Sequence, residues 1–281
     1  MGALQLTYEP KFKIVHRTGE LMRSHEAKSV QLWLSTDPLA EKFPSWNPYN
    51  YCMNNPINLI DPDGRESDDW RINYTDKNGK AQTFNYTGKE TNLPDNQYVR
   101  DFVGAYQYNV GNGGGDSMKE IAENKNIIVD VRETGALSYA DHSPNILKAN
   151  SYNKVSWAPN VGLETTNGVV LSPATLLDHE ADHALRFAKT PGTIIREGEL
   201  HRKDYDNKEE QRVIQGSEQK TALKNGEIKP GQVTRNNHYG LPVITNSPTS
   251  NKVNVKATGA YLKENYPNIF VPGVNKYKYF K

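Results

Sequence analysis

The chain has 281 residues, with 34 Lys and Arg against 33 Asp and Glu and a formal net charge of +1, so no overall field draws it to nucleic acid or to an anionic membrane. The hydrophobic content of 36% and the mean hydropathy of -0.79 lie low in the globular range, and the length allows one large domain or two modest ones. Cys52 is the only cysteine, which excludes an internal disulfide. No run of about 18 apolar residues is long enough to span a membrane, and residues 1–10 lack the basic and apolar regions of a signal peptide.

After a polar opening, residues 32–51 read Leu-Trp-Leu-Ser-Thr-Asp-Pro-Leu-Ala-Glu-Lys-Phe-Pro-Ser-Trp-Asn-Pro-Tyr-Asn-Tyr. Residues 52–64 continue as Cys-Met-Asn-Asn-Pro-Ile-Asn-Leu-Ile-Asp-Pro-Asp-Gly. Five prolines among Asn, Asp and aromatics predict a chain of turns with little regular structure. Over about residues 30–65 this order and spacing closely resembles the carboxyl-terminal end of the RHS repeat-associated core domain, whose β-repeat shell encloses a variable toxin. The resemblance implies that residues 1–65 are a core remnant and residues 66–281 a toxin domain. It also implies secretion or delivery to a target cell within an RHS system, with an immunity protein as a partner. Asp37 and Asp61 stand at Asp-Pro positions like those used for self-cleavage in some members; without the shell they read as turn aspartates.

From Glu66 the composition changes. Residues 70–75 and 81–86 alternate around Asn78-Gly79, which predicts a hairpin. Tyr98, Phe102, Ala105 and Tyr106 recur at helical spacing as a core face. The run Gly111-Asn-Gly-Gly-Gly115 lacks both a leading strand and a following Gly-Lys-Ser/Thr, so it reads as a flexible connection rather than a phosphate loop. Residues 126–131 and 154–157 read as strands, and residues 160–172 as a hairpin turning at Asn167-Gly168.

Residues 172–188, Ser-Pro-Ala-Thr-Leu-Leu-Asp-His-Glu-Ala-Asp-His-Ala-Leu-Arg-Phe-Ala, carry the chemistry. Ser172 is an N-cap, Pro173 suits the first helical position, and Pro191-Gly192 lies beyond the far end. His179-Glu180-Ala181-Asp182-His183 is an H-E-x-x-H: two imidazoles one turn apart share a helix face and can hold one metal ion, with the intervening carboxylate beside it. Zinc accepts neutral imidazole, and a carboxylate can take the proton of a water attacking a carbonyl. This predicts zinc as cofactor, His179 and His183 as ligands, Glu180 as general base and a protein or peptide substrate. The motif has a chance frequency of roughly one per cent in a chain of this composition. Asp182 stands where such helices are often apolar, which suggests a hydrogen bond to a histidine ring.

A third ligand is needed, and the downstream candidates are His201, Glu209, Glu210 and Glu218. His201 reads as a solvated loop residue. Residues 208–223 read as a helix despite Gly216, and its inward face, set by Val213 and Ile214, selects Glu209 or Glu210. Glu210 stands three and four places before both apolar residues and is preferred; Glu218 reads as solvated or as a neighbour of a ligand. His238 and Tyr239 are potential donors to the oxyanion formed on the attacked carbonyl. The remaining residues show no clear period, and their lysines read as a solvated surface.

Hairpin, H-E-x-x-H helix and Glu-bearing helix in that order resemble the zincin-type metallopeptidase toxins of RHS and other polymorphic toxin systems, and more distantly the NleD-like effector peptidases, over about residues 152–240. The expected fold is therefore α+β, with a small twisted sheet packed on the metal helix. By this resemblance the strand before the helix lines the cleft and pairs with an extended substrate. The alternatives are a non-catalytic cassette kept for binding and a toxin of another chemistry. Intact His179, Glu180 and His183 favour the enzyme, and balanced charge disfavours a nuclease.

Overall fold

A computed structural model describes residues 4–9, 12–17, 30–32, 69–124, 127–143 and 152–280. Asp37, Cys52 and Asp61, and the RHS-like stretch from residue 33 on, lie outside the described residues. The chain divides into two compact units, Met1–Ser67 and Asp68–Lys281. The first contains an antiparallel sheet of β1 (Leu4–Glu9), β2 (Phe12–Arg17) and β3 (Val30–Leu32), in that spatial order.

The second unit is α+β. Its larger sheet is mixed, in the order β5-β4-β6-β8-β7: β4 (Asp69–Thr75), β5 (Ala81–Tyr86), β6 (Ile128–Glu133), β7 (Tyr139–Ser143) and β8 (Tyr152–Trp157). β4, β6 and β8 run parallel, while β5 and β7 are the antiparallel edges. The β4–β5 hairpin pairs Trp70 with Tyr86, and Gly79 turns it at a φ of 78°.

One face of this sheet buries Trp70, Ile72, Val129, Val131, Val155 and Trp157. Against it pack α1 (Gln97–Gly111), α2 (Asp116–Glu123) and α3 (Pro173–Lys189). Tyr98, Phe102, Ala105 and Tyr106 are all buried on α1, as the helical spacing predicts. α3 contributes Ala174, Leu177, Ala181 and Ala184, a row of three- and four-residue steps whose three alanines allow close approach to the sheet.

A second sheet, in the order β10-β9-β13, is formed by β9 (Val161–Thr165), β10 (Val170–Leu171) and β13 (Gly240–Ile244). The β9–β10 hairpin turns at Gly168 with a φ of 75°. Because β9 is the central strand, neither of its edges is open to a peptide. A helix absent from the sequence reading, α7 (Val255–Asn265), covers β13. Gly259 of α7 lies so close to the chain end that a Cβ there would stand 2.1 Å from the Tyr279 carbonyl oxygen. Tyr279 in turn donates its hydroxyl to Glu164 of β9 at 2.6 Å.

The glycine run between α1 and α2 is a packed joint, not a flexible link. Gly114 and Gly115 are buried, and the Gly115 N–H donates to Thr221 Oγ1 at 3.1 Å. Gly115 has a φ of 66°, in the left-handed region where glycine carries no penalty.

α3 is held at its entry from both sides. The Ser172 side chain accepts from the Thr175 N–H, and the fully buried Trp157 donates its indole N–H to the Pro173 carbonyl at 2.8 Å. Trp157 therefore ties the sheet to the start of the motif helix. Trp157→Phe should lower stability by about 1–3 kcal/mol, through the lost hydrogen bond and the void left beside the ring. Urea unfolding of the two proteins measures this difference.

Candidate metal centre

α3 is buried on every side from Pro173 to Leu185. Its sheet-facing row leaves His179, Glu180 and His183 on the other face, with one potential ligand atom each within 4.8 Å of one another. Nε2 of His179 and Nε2 of His183 are 3.3 Å apart. Across from them is α5 (Lys208–Val213), whose Glu210 places Oε2 3.3 Å from His179 Nε2 and Oε1 3.3 Å from His183 Nε2. Ligands bonded at about 2.0–2.1 Å in a tetrahedral shell stand about 3.3–3.4 Å from each other. All three separations have that length. Glu210 Oε2 is buried without an aligned hydrogen bond, as suits an oxygen that faces a cation. The donor set, two imidazoles and a carboxylate, therefore fits zinc.

Each histidine is backed by a glutamate on its far nitrogen, and each glutamate is gripped by arginine. Glu218 Oε2 lies 2.9 Å from His179 Nδ1, a close ionic contact that is not aligned as a hydrogen bond. Glu218 is fully buried and accepts from Thr234 Oγ1 at 2.8 Å and from Arg235 at 3.0 and 2.5 Å. Glu209 Oε1 bonds His183 Nδ1 at 3.1 Å and accepts from Arg212 at 2.7 Å. Its other oxygen accepts from Arg212 Nε at 3.1 Å and from Arg186. Such carboxylates fix the ring orientation and leave Nε2 as the free donor. Arg212 is also bidentate to Asp182, with both contacts at 3.0 Å, and Ser217 donates to Asp182 at 2.6 Å. Asp182 thus meets an arginine instead of the expected histidine ring, and ties the motif helix to α5.

The helix opposite α3 is not regular. α5 runs into a π turn, Ile214–Glu218, and then into α6 (Gln219–Lys224). In an uninterrupted α-helix, eight residues would set Glu218 about 80° around the axis from Glu210. A π turn takes up one extra residue, so the step behaves as seven and the offset falls to about 20°. The π turn is what lets Glu209, Glu210 and Glu218 all face α3.

Four carboxylates around two imidazoles set the electrostatics. Burial opposes charge on His179, but contacts with Glu210 and Glu218 outweigh it and raise its pKa to about 10. His183 is raised to about 9 in the same way, burial being outweighed by Glu209 and Glu210. Burial also opposes charge on Glu210, yet the two imidazoles hold its carboxyl well below the usual range. Glu218, likewise buried, is brought down to about 2 by Arg235 and His179. The pocket therefore favours positive charge between the two rings, and a metal would enter by displacing those protons. For Glu180 burial prevails and raises the pKa, against the pull of the two histidines.

The site opens into a cavity of about 560 Å³, and His179, Glu180, His183, Glu209, Glu210, Arg235 and His238 are among its lining residues. Leu137 to Ala140, at the start of β7, form one wall. Leu137 packs with Leu176, the Ala140 N–H bonds the Glu180 carboxylate, and Asn153, paired with His142, donates to the Ala184 carbonyl at 2.6 Å. β7 and α3 thus run side by side in the same direction. The hairpin before α3 contributes Leu163 to the cavity lining, as expected, but its β9 is paired on both sides, so the sheet edge along the cleft is β7.

His238 Nε2 lies 3.3 Å from Glu210 Oε2, and its Nδ1 is 2.5 Å from Asp206 Oδ2. Asp206 belongs to a hairpin of β11 (His201–Arg202) and β12 (Asp206–Asn207), and has a φ of 63°. His238 is brought to the site. Tyr239 is 46% exposed and His201 is exposed, and neither lines the cavity. Sequence reasoning missed Asp206, Arg212, Arg235 and β7, because long-range ion pairs and a short polar strand leave no period to read. It also missed α4 (Pro191–Gly198), although Pro191 after Thr190 is an N1 signal.

No family model, no curated protein and no solved structure matches the chain.

Glu209→Gln and Glu218→Gln should each lower zinc affinity about 10–100-fold, measured by chelator competition, while Glu210→Ala should lower it further. A separate expectation concerns Asp178 on the flank of α3, which is 1% exposed and accepts from Thr221 Oγ1 at 2.6 Å. Burial raises its pKa to about 7, Thr221 opposing. The folded chain then keeps a proton that the unfolded chain releases near pH 4, so the contribution of Asp178 to stability falls as pH rises from about 4 to about 7. Asp178→Asn lacks this loss, and in urea titrations its stability relative to wild type should improve over that window.

Proposed function

We propose that the second unit is a zinc-dependent endopeptidase, with His179, His183 and Glu210 as its metal ligands and a zincin-like arrangement around them. The observation that carries this reading is the triangle of 3.3 Å separations among the two Nε2 atoms and the Glu210 carboxylate, with Glu180 beside it. Zinc, when bound, supplies Lewis acidity and makes water a nucleophile near neutral pH. Glu180 is the general base: burial brings its basicity towards the working range, and the Ala140 N–H bonds the carboxylate. His238, steadied by Asp206, stands across the site as donor to the oxyanion of the attacked carbonyl. The outer edge of β7 offers backbone groups to an extended substrate.

The likeness of residues 30–65 to the RHS core end supports placing this activity in a toxin module. Its substrate is then a protein of a target cell, an immunity protein is its expected partner, and delivery proceeds through the RHS system. Among the described residues no helix is long and apolar enough to cross a membrane.

Glu180→Gln should keep the metal, by elemental analysis, and lose at least about a hundredfold in hydrolysis. Incubation with a mixed proteome and a search for new termini measures the activity. New termini at the wild-type rate, from a variant with full zinc, would remove Glu180 from the role of base. Zinc without new termini from the wild-type protein would favour a binding module.

A further inference from the structure

We infer that the substrate is selected by apolar side chains on both sides of the cleavage point; this rests on the peptidase reading above and adds its specificity. The face of α3 along the cleft carries Leu176 one turn before His179 and Phe187 one turn after His183. Leu176 belongs to an apolar wall with Leu163 and Leu137, while Phe187 shares the other wall with Ile194 and Ile195 of α4. The metal ligands lie between the walls.

The spacing fits a peptide. From Leu176 to Phe187 is eleven residues, or about 16 Å along the helix, the length of about five residues of extended chain. Centred between His179 and His183, the walls stand about 8 Å to either side, a little over two extended residues. A chain lying along β7 would therefore set side chains against the apolar walls within two residues of the scissile bond on both flanks.

The charges in the cavity do not compete for this role. Arg235 is committed to Glu218, Glu209 to Arg186 and Arg212, and His238 to Asp206. A charged side chain entering either wall would be desolvated without a partner. Ile195, 36% exposed, is the part of the walls most open to solvent and the group a bound apolar side chain would cover. The two-sided preference also describes sequences that folded proteins bury, so cleavage should fall on flexible or unfolded apolar segments.

The test uses the full chain loaded with zinc and a library of peptides varied at the two positions on each side of the cut. Apolar residues should be enriched on both flanks, and a single change to Asp or Lys on either flank should lower kcat/KM about tenfold or more. Ile195→Lys keeps the metal ligands and should shift one flank's preference towards acidic residues, with zinc content and thermal midpoint close to wild type. Cleavage with no apolar enrichment, or with enrichment on one flank only, overturns the proposal while leaving the peptidase reading in place. If no peptide is cut, the peptidase reading fails, and binding of the same peptides to zinc-loaded Glu180→Gln, by fluorescence anisotropy, decides the specificity. Tenfold weaker binding of the charged peptides supports it, and equal binding overturns it.

Discussion

A helix buried on all sides is ordinarily apolar, because an uncompensated charge in the interior costs several kcal/mol. α3 is buried throughout its first thirteen residues and yet carries Asp178, His179, Glu180, Asp182 and His183. Each of these groups must meet a partner, and much of the surrounding architecture consists of the elements that bring the partners. Thr221 on α6 meets Asp178, Glu218 meets His179, Ala140 on β7 meets Glu180, Arg212 meets Asp182, and Glu209 meets His183. The small row Ala174, Ala181 and Ala184 makes the arrangement feasible by letting the sheet carry the helix from behind.

The partners are themselves neutralised further out. Glu209 adds no free negative charge because Arg186 and Arg212 hold it, and Arg235 does the same for Glu218. Arg186 continues outward to Glu197, which also meets Lys208. The inner pair, Glu218 and Arg235, is almost wholly shielded from solvent, whereas the outer ion pairs around Arg186 and Arg212 are partly exposed. Salt therefore acts on the His183 side of the site far more than on the His179 side.

The part of this plan written in local sequence was legible. Ser172 and Pro173 mark the helix start, Asn78-Gly79 and Asn167-Gly168 mark their hairpins, and the one-turn repeat of His179 and His183 marks their shared face. Glu210 could be chosen because Val213 and Ile214 orient its helix, and both are buried. The α+β class, expected from the zincin likeness, agrees with the described elements of the second unit; the RHS and zincin likenesses themselves remain a reading of motifs. What could not be read was set by distant contacts. Arg212 and Arg235 are ordinary surface-type residues until the fold places them against Glu209 and Glu218. β7 has a polar sequence because it is an edge strand. The glycine run between α1 and α2 looked flexible because its constraint comes from Thr221, more than a hundred residues away.

The π turn carries one more consequence. A Cβ added at Gly216, in the middle of that turn, would meet nothing within 4 Å, so the position tolerates other side chains. Backbone geometry there is another matter. The same eight residues in regular α-helix would swing Glu218 and all that follows by about 100°, whereas loss of one residue between Ile214 and Glu218 would close the bulge and leave Glu218 in its present phase. The segment thus stores its information as a bulge and not as a particular side chain: composition at its centre can drift freely, and a single-codon deletion there would leave the two halves of the site in register.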